Sequence, residues 1–320
     1  MIKQLVGIGG ANADFMMHAL SPVVMHDSNP GRFSMAPGGV MRNICENAAR
    51  LGIETSIVTA VGKDAAGELI MSSLCEMGIS DAYVHRLSDC PSSVYLSALD
   101  ENGEMLVSFS DMTAAARLEC ADIDRALPAI EQADVVCMDA NPSREFIEYA
   151  AKTISTFDVP IFLDPVSTAH TKKLSGLLGY FDTIKPNRLE LAALSGCEIE
   201  REDDLPRAAA AVIDAGVRRV FVTLGTDGVY YLDRDGHEAR FYSPSVAMKN
   251  ANGAGDAFTA GLLSAYLDDL SVEDTFCRAA ACAAIAVQSV EAVNPRMSFS
   301  RVNAAADDIK KYNFQIANNK

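Results

Sequence analysis

The chain has 320 residues, of which 49% are hydrophobic and 22% are charged, so it has ample material for a buried core and lacks the composition of a disordered chain. Its net charge of -16, with no basic run to offset it, argues against a nucleic-acid-binding surface. Its longest apolar run, 279–287, is about half of what a membrane-spanning helix needs, and its eight cysteines are scattered without a C-x-x-C pair. We therefore expect a soluble, cytoplasmic protein with reduced cysteines and with no nucleic-acid or membrane partner.

The first predicted element is a buried strand at 5–8 that breaks into a glycine turn, followed by Asn12 and Asp14. Its Gly-x-Gly pattern at 7–9 resembles the start of a dinucleotide-binding fingerprint. The third glycine position holds Asn12, however, and residues 15–35 contain prolines and are typical of extended chain rather than a helix. We therefore discount a Rossmann cofactor site.

Next in the chain, the glycine pair Gly38 and Gly39 leads into an amphipathic helix predicted at 39–51. A strand at 55–61 and a helix at 65–77 follow it. Two further strands, at 94–99 and 105–109, flank the turn 100–103 and predict a β-hairpin. Together with the extended stretch at 15–35, this hairpin would form a small separate sheet.

From residue 134 onward, strands and helices alternate regularly. We predict strands at 134–138, 160–164, 183–185 and 219–224, and helices at 143–155, 187–194 and 205–215. This order implies a parallel sheet covered on both faces, with ligands beyond the carboxyl ends of its strands. The polar and glycine positions at those ends are therefore candidate site residues: Asp139, Asn141, Asp164, Asn187, Glu190, Thr223 and Gly225.

The last predicted elements are a hairpin at 229–232 and 240–243, and helices at 255–267 and 272–288. Gly253 and Gly255 precede the first helix and leave backbone N–H groups accessible at the positive end of its dipole, which favours an anion. Asp256 would lie beside that anion, where a carboxylate suits a base that deprotonates a hydroxyl attacking a phosphate. An ordinary helix-start acid above a tight turn is the alternative.

The two glycine motifs, at 38–43 and 253–256, resemble the signatures of the ribokinase-like (phosphofructokinase-B type) sugar and nucleoside kinases, and the resemblance covers nearly the whole chain. It implies one α/β kinase domain, 1–320, with a doubly wound, mostly parallel sheet, helices on both faces and a small β-sheet lid formed by about 15–36 and 94–110. Relatives often dimerise through this lid, so a homodimer is expected. The implied cofactors are ATP and Mg²⁺.

The same resemblance assigns site residues. The catalytic set is Asp256 with the loop residues Gly253, Ala254 and Gly255. Acceptor binding falls to Asn12, Asp14, Gly38, Gly39, Asn43, Asn141 and Asp164. The nucleotide side comprises Asn187, Thr223, Gly225 and Gly228, with Ala280, Ala283 and Ala284 as a small-residue helix face that could admit a purine. Close packing against a neighbouring helix is the alternative for those alanines.

Asn187 and Glu190 resemble the Asn-x-x-Glu motif of the family, and their oxygens suit a hydrated Mg²⁺. The alternative is a helix start with Asn187 as the cap and Glu190 as its capping-box partner, and both roles are compatible. The chain departs from many relatives at Asn250 and Ala251, where they have Asp-Thr. This departure argues against activation by K⁺ unless backbone carbonyls serve instead.

Stretches around 27–31, 103–112, 163–167 and 185–190, together with 38–44, are similar to the branch of the family that phosphorylates pseudouridine. Ser28, Asn29 and Asp111 are the polar candidates for recognising its base, with ordinary turn chemistry as the alternative. Phosphorylation of ribose, another nucleoside or another sugar stays open. So does a non-catalytic nucleoside-binding sensor.

Overall fold

The structure, a computed structural model, describes residues 2–243 and 246–318. Its strands are β1 (Gln4–Ile8), β2 (Asn12–Ala19), β3 (Gly31–Gly38), β4 (Glu54–Gly62), β5 (Ser80–Leu87), β6 (Val94–Leu99), β7 (Met105–Asp111), β8 (Val135–Asp139), β9 (Ile161–Asp164), β10 (Thr183–Ile184), β11 (Arg219–Thr223), β12 (Val229–Asp233) and β13 (Glu238–Phe241). Its helices are α1 (Val40–Arg50), α2 (Ala65–Glu76), α3 (Thr113–Ala116), α4 (Cys120–Ile130), α5 (Arg144–Ile154), α6 (Thr168–Thr171), α7 (Arg188–Ser195), α8 (Leu205–Asp214), α9 (Ala254–Leu267), α10 (Val272–Ala286) and α11 (Phe299–Asn318).

The large sheet has the strand order β13-β12-β11-β10-β9-β8-β1-β4-β5. The strands from β11 to β5 in this order all pair in parallel, whereas β12 pairs antiparallel with both β11 and β13 at one edge. Successive side chains of β1 enter opposite cores: Leu5 packs in one cluster of buried residues and Val6 in the other. Helices α1, α9 and α10 cover the first core, and α4, α5 and α8 cover the second. The predicted doubly wound α/β fold is therefore confirmed.

Glycine is required where α1 and α9 begin. The residue before α1 is Gly39, with φ 101°, and a Cβ there would lie 2.5 Å from the Cα of Ala11. The residue before α9 is Gly253, with φ 77°, and a Cβ there would lie 2.0 Å from the carbonyl oxygen of Ala292. Only glycine combines this backbone with so close an approach. Both turns thus determine where the helix N-termini lie.

A second sheet of four strands has the order β3-β2-β6-β7. The strands β2 and β3 are antiparallel, β2 and β6 are parallel, and β6 and β7 are antiparallel. Its strands cover most of the predicted lid segments, 15–36 and 94–110. Apolar side chains project from this sheet into solvent, among them Met17, Phe33, Met35, Leu96 and Phe109. Exposed apolar groups in such number are typical of an interaction surface.

Five elements have no counterpart in the predictions: β5, α3, α4, α6 and α11. The last helix that the sequence predicts is 272–288, but in the structure α11 follows α10 and packs against it. Other predicted elements agree with the structure to within a few residues at each end. No helix within 2–243 or 246–318 combines the length and apolarity that a membrane crossing requires.

Candidate active site

Charged side chains converge where the parallel strands β8, β9 and β10 end, beside the N-terminus of α9. Asp139 is the last residue of β8, Asp164 is the last of β9, and Lys185 directly follows β10. All three are buried, with exposed fractions of 0%, 3% and 7%. Isolated charges are costly to bury, so their mutual placement indicates a built site. The predicted location of the site, beyond the strand ends, agrees with this arrangement.

Asp256 lies in the first turn of α9, and its Oδ2 accepts a hydrogen bond of 2.8 Å from Nδ2 of Asn43 in α1. Burial raises the pKa of Asp256 to about 7, and the negative charge of Asp164 acts in the same direction. The Asn43 amide and the Lys185 ammonium lower it in part. A carboxyl group with a pKa near neutrality is matched to proton transfer at physiological pH. Asp256 is therefore suited to act as a general base.

The glycine loop 253–255 lies directly before Asp256 in the chain. Its residues open a helix of 14 residues, so their N–H groups lack partners within the helix and lie at the positive end of its dipole. A Cβ on Gly255 would lie 3.2 Å from Nζ of Lys185, which places the ammonium group next to the loop. The N–H of Ala254 donates to the carbonyl of Ala251 at 3.4 Å, and helix-start amides next to a buried cation favour an anion here.

Lys185 is held by Asp164, whose Oδ2 lies 3.1 Å from Nζ. Burial lowers the pKa of Lys185, but nearby carboxylates, Asp164 foremost, outweigh burial and raise the pKa overall, so the ammonium stays charged. Thr259 of α9 donates from Oγ1 to the same Oδ2 at 3.3 Å. Asp164 thus joins β9, the segment after β10, and α9 in one network.

Asp139 fixes the first glycine turn. Its Oδ2 accepts the N–H groups of Gly10 at 2.9 Å and Met41 at 3.1 Å, and its Oδ1 accepts that of Asn141 at 2.8 Å. Burial raises its pKa to about 6, although these backbone donors lower it. A Cβ on Gly9 would lie 2.3 Å from the Asp139 carboxyl carbon, so glycine is required there. Asp139 therefore aligns β1, the start of α1 and the segment after β8.

The predicted acceptor residues Asn12, Asp14 and Gly38 lie together at the junction of the two sheets. Asn12 donates from Nδ2 to Oδ1 of Asp14 at 2.6 Å, and a Cβ on Gly38 would lie 2.5 Å from the same carboxylate. Burial raises the pKa of Asp14, while the Asn12 hydrogen bond and the Arg42 charge lower it. A Cβ on Gly10 would lie 2.7 Å from Nδ2 of Asn141, so Asn141 borders this group.

The remaining acceptor candidates have local contacts. Asn29 is exposed and its amide bonds the backbone of Val24 and Asp27, while the backbone N–H of Ser28 bonds the Asp27 carboxylate. Asp111, at the end of β7, is exposed and accepts both the N–H and the hydroxyl of Thr113. These contacts are those of turn chemistry, and the role of all three in base recognition stays a prediction.

On the nucleotide side, Asn187 and Thr223 lie opposite each other in an isolated parallel bridge. Gly225 and Gly228 both have positive φ, and a Cβ on Gly228 would lie 2.1 Å from the carbonyl oxygen of Phe241. Ala280 is buried, with 5% exposed, in the helix α10 that packs against α9. Ala283 and Ala284 are partly exposed on the same helix.

Asn187 and Glu190 form a reciprocal capping box. Asn187 Oδ1 accepts the N–H of Glu190 at 2.9 Å, and Glu190 Oε2 accepts the N–H of Asn187 at 2.8 Å. The capping role that the sequence left open is therefore present. It occupies one carboxylate oxygen of Glu190 and leaves the other outside the box. Burial raises the pKa of Glu190, while the backbone bond to Asn187 and the Lys185 charge lower it, so a cation nearby would favour the ionised group.

Three functional candidates were missing from the predicted site: Lys185, Thr259 and Arg42. A lysine next to Pro186 and Asn187 carried a usable signal, because it follows a predicted strand at the edge where ligands bind. Thr259 lies three residues after Asp256, so it is on the same side of the helix. Arg42 lies inside the first glycine motif. The burial of Arg42, however, could not be predicted from the sequence.

The chain is similar to known carbohydrate kinases in sequence and in fold. A family model for pfkB family carbohydrate kinases matches residues 3–298. The pseudouridine kinase of Escherichia coli (strain K12) is 33% identical over 97% of this chain and 98% of that protein. A carbohydrate kinase from Agrobacterium tumefaciens superposes with a TM-score of 0.84 at 26% identity, over 96% of this chain and 97% of that one.

The structure of Arabidopsis thaliana ribokinase complexed with ribose and ATP superposes with a TM-score of 0.83 over 96% of this chain and 99% of that one. Its 24% identity supports the fold alone. The family model and the Escherichia coli relative span nearly the whole chain, and the two glycine motifs occupy the start of α1 and of α9. The chain therefore belongs to the pfkB family of carbohydrate kinases, and it is a phosphotransferase that acts on an alcohol group of a sugar or nucleoside.

Proposed function

We propose that the protein transfers the γ-phosphoryl group of ATP to the 5′-hydroxyl of pseudouridine, giving pseudouridine 5′-phosphate and ADP. The observation that carries the chemistry is the Asp256 carboxyl group, which has a pKa of about 7 and lies in the first turn of α9, at the positive end of the helix dipole. The observation that favours pseudouridine is the 33% identity, over 97% of this chain, to a protein named pseudouridine kinase.

In this mechanism Asp256 accepts the proton of the 5′-hydroxyl while the hydroxyl oxygen attacks the γ-phosphorus and ADP leaves. The N–H groups of Ala254, Gly255 and Asp256 bind the oxygens of the transferring group, where negative charge develops. Lys185 adds positive charge to this site, because its ammonium group lies next to Gly255. Charge stabilisation by donors that are already in place supplies most of the catalysis of phosphoryl transfer.

The ribose is held between the two sheets. Asp14, Asn43 and the amide of Gly39 contact its hydroxyls, with Asn12, Gly38, Asn141 and Asp164 completing this wall. The uracil ring faces the small sheet and its loop, where Ser28, Asn29 and Asp111 are the candidates for its polar edge. The small sheet acts as a lid that excludes water, since water would otherwise compete as acceptor.

ATP lies on the side of β10 and β11, against Thr223, Gly225 and Gly228, with the adenine near Ala280, Ala283 and Ala284. Asn187 and Glu190 fit a hydrated Mg²⁺ through oxygen donors, and the free oxygen of Glu190 is compatible with this role. Mg²⁺ would neutralise charge on the phosphates. We include no monovalent cation, because Asn250 uses both polar atoms of its side chain, donating to the Val290 carbonyl and accepting from the N–H of Asn252.

We also place a second copy of the chain on the small sheet. Phe33 and Phe109 are 57% and 65% exposed on it, and a partner would bury them. The cysteines among the described residues are all free thiols, which suits the reducing cytoplasm. Sedimentation of the wild type and of a Phe33→Ser/Phe109→Ser variant tests the dimer, which the variant should lose.

The decisive experiment is ADP release by the purified protein with ATP, Mg²⁺ and a panel of pseudouridine, uridine, inosine and ribose. We expect the highest kcat/KM with pseudouridine and the lowest with ribose, which lacks a base. Phosphorus NMR of the product identifies the 5′-ester. A higher kcat/KM for another acceptor would replace pseudouridine and leave the kinase assignment intact. Calorimetric binding of a nucleoside with no ADP release from any acceptor would identify a sensor.

A further inference from the structure

Arg42 is a buried cation in the first turn of α1, with 3% of its surface exposed. Its Nη1 donates to the carbonyl oxygen of Pro37 at 2.7 Å and to Oδ1 of Asn43 at 2.8 Å. Its Nη2 forms an ion pair with Glu46 one turn further along the helix. The guanidinium therefore contacts the end of β3, its own helix and the amide that bonds Asp256.

Glu46 is held in turn by Arg50. Oε1 of Glu46 accepts Nε of Arg50 at 2.9 Å and Nη2 at 2.7 Å, and Nη1 of Arg50 donates to the carbonyl oxygen of Pro295 at 3.0 Å. These residues form a row of alternating charge at positions four apart on α1. Because a buried ion pair contributes little net stability compared with apolar packing, stability alone is a weak reason for this row.

The hydrogen-bond pattern at Asn43 supplies a stronger reason. An asparagine amide can rotate by half a turn and exchange its oxygen with its nitrogen. Facing the carboxylate of Asp256, the nitrogen attracts and the oxygen repels. The guanidinium of Arg42 carries only hydrogen-bond donors. It therefore favours the orientation of the Asn43 amide in which Oδ1 faces the guanidinium and Nδ2 faces Asp256.

We propose that Arg42 is a positioning residue for Asp256 that acts through the amide of Asn43. The inference rests on the role of Asp256 in the proposed function. Arg42 contacts neither the acceptor nor the phosphate in this scheme. Because Pro37 belongs to β3, the same guanidinium also ties the small sheet to the amide that faces the base.

The test is a double-mutant cycle with Arg42→Lys and Asn43→Ala, with kcat measured on pseudouridine from pH 5 to 9. Lysine keeps the positive charge but cannot donate to Pro37, Asn43 and Glu46 together. We expect Arg42→Lys to lower kcat about tenfold, the value of one hydrogen bond to a charged group. The double variant should fall no more than about twofold below Asn43→Ala, because residues acting through one contact are not additive.

The pH profile separates positioning from general stability. The Asn43 hydrogen bond lowers the pKa of Asp256, so its loss moves the acid limb of the profile to higher pH in both single variants. The other charged groups that act on Asp256 are Asp164, Asp139, Lys185 and Arg42 itself. The cycle leaves the first three in place, and Arg42→Lys keeps the positive charge of the fourth. Arg278→Lys is the matched control: Arg278 is also buried, with 8% exposed, and bonds Ser264 and Asp268 at the far end of α9. It should lower the melting temperature and leave the acid limb unchanged.

Multiplicative losses in the double variant, or an acid limb that does not move in Arg42→Lys, would overturn the role of Arg42. If Arg42→Lys does not fold, Glu46→Gln takes its place in the cycle, with a smaller expected loss in kcat and the same non-additivity with Asn43→Ala. Asp256→Asn is measured alongside. Retained turnover in Asp256→Asn refutes the role of Asp256 as the base. A large loss of turnover in Asp256→Asn, together with additive effects in the cycle, refutes only the positioning role of Arg42.

Discussion

At the carboxyl ends of β8, β9 and β10, polar side chains are buried and contact residues far away in the chain. In the loop between β2 and β3 of the small sheet and at the end of β7, the candidate polar side chains are exposed and contact near neighbours. Asn43 bonds Asp256 across 213 residues, and Asp164 bonds Thr259 across 95. Asn29, by contrast, reaches no further than five residues. Groups held by distant, buried partners are preorganised, whereas locally satisfied groups on the surface can exchange their partners for a ligand. We therefore expect the proposed phosphoryl-transfer groups to be in place before substrate binds, and the proposed acceptor recognition to depend on the small sheet.

The largest expected effect lies on the preorganised side. Asp256→Asn should lower kcat by roughly 10²–10⁴, the usual contribution of a positioned general base, with ATP binding near that of the wild type. Steady-state kinetics and calorimetric titration with ATP check both parts. Turnover above half of the wild-type value would remove Asp256 from the mechanism.

The next effect belongs to the small sheet. Pseudouridine has a ring N–H donor that uridine lacks, so an acceptor that the bound base shields from water would be left unpaired by uridine. One such contact is worth roughly tenfold to a hundredfold in kcat/KM. Asn29→Ala and Asp111→Ala, each compared with the surface control Glu101→Ala, show which candidate carries the preference. Equal rates on the two nucleosides in the wild type would refute the pseudouridine assignment.

A smaller effect concerns the metal. Glu190→Gln should raise the Mg²⁺ concentration needed for half-maximal rate several-fold, because a hydrated Mg²⁺ loses an anionic partner. Titration of the rate with Mg²⁺ at saturating ATP measures it. A lower melting temperature with an unchanged Mg²⁺ requirement would assign Glu190 to the capping box alone.

The smallest expected effect is on stability. The pKa of Asp256 is raised from 3.8 to about 7 in the folded protein, so its ionisation progressively disfavours the fold as pH rises between these values. Asp256→Asn removes this destabilisation by the ionised carboxylate and should raise the melting temperature more at pH 8 than at pH 5. Scanning calorimetry at both pH values tests this, and an equal change at both would mean that Asp256 titrates normally.

Much of the architecture could be read from local patterns. Strands near 135–139 and 161–164 and the helices after Gly39 and Gly253 were predicted because period and glycine placement are local properties. The strand β5 was missed because its Asp81, His85 and Arg86 obscure the apolar alternation of a strand with a half-exposed face. The helix α11 was missed although its apolar residues Val302, Ala306 and Ile309 stand at helical spacing, because the charged and polar residues between them obscure the period.

For the candidate site, local sequence patterns show which residue types stand at the strand ends and helix starts: the two glycine turns, Asp256, and the Asn-x-x-Glu motif at 187–190. Those features depend on backbone conformations that only glycine adopts and on the fixed spacing of a helical turn. That Lys185 lies against Gly255 and that the amide of Asn43 bonds Asp256 follows from the folded arrangement alone. Such contacts join segments far apart in the chain, and burial, which sets the pKa of Asp256 near 7, is a property of everything packed around a residue and of no residue alone.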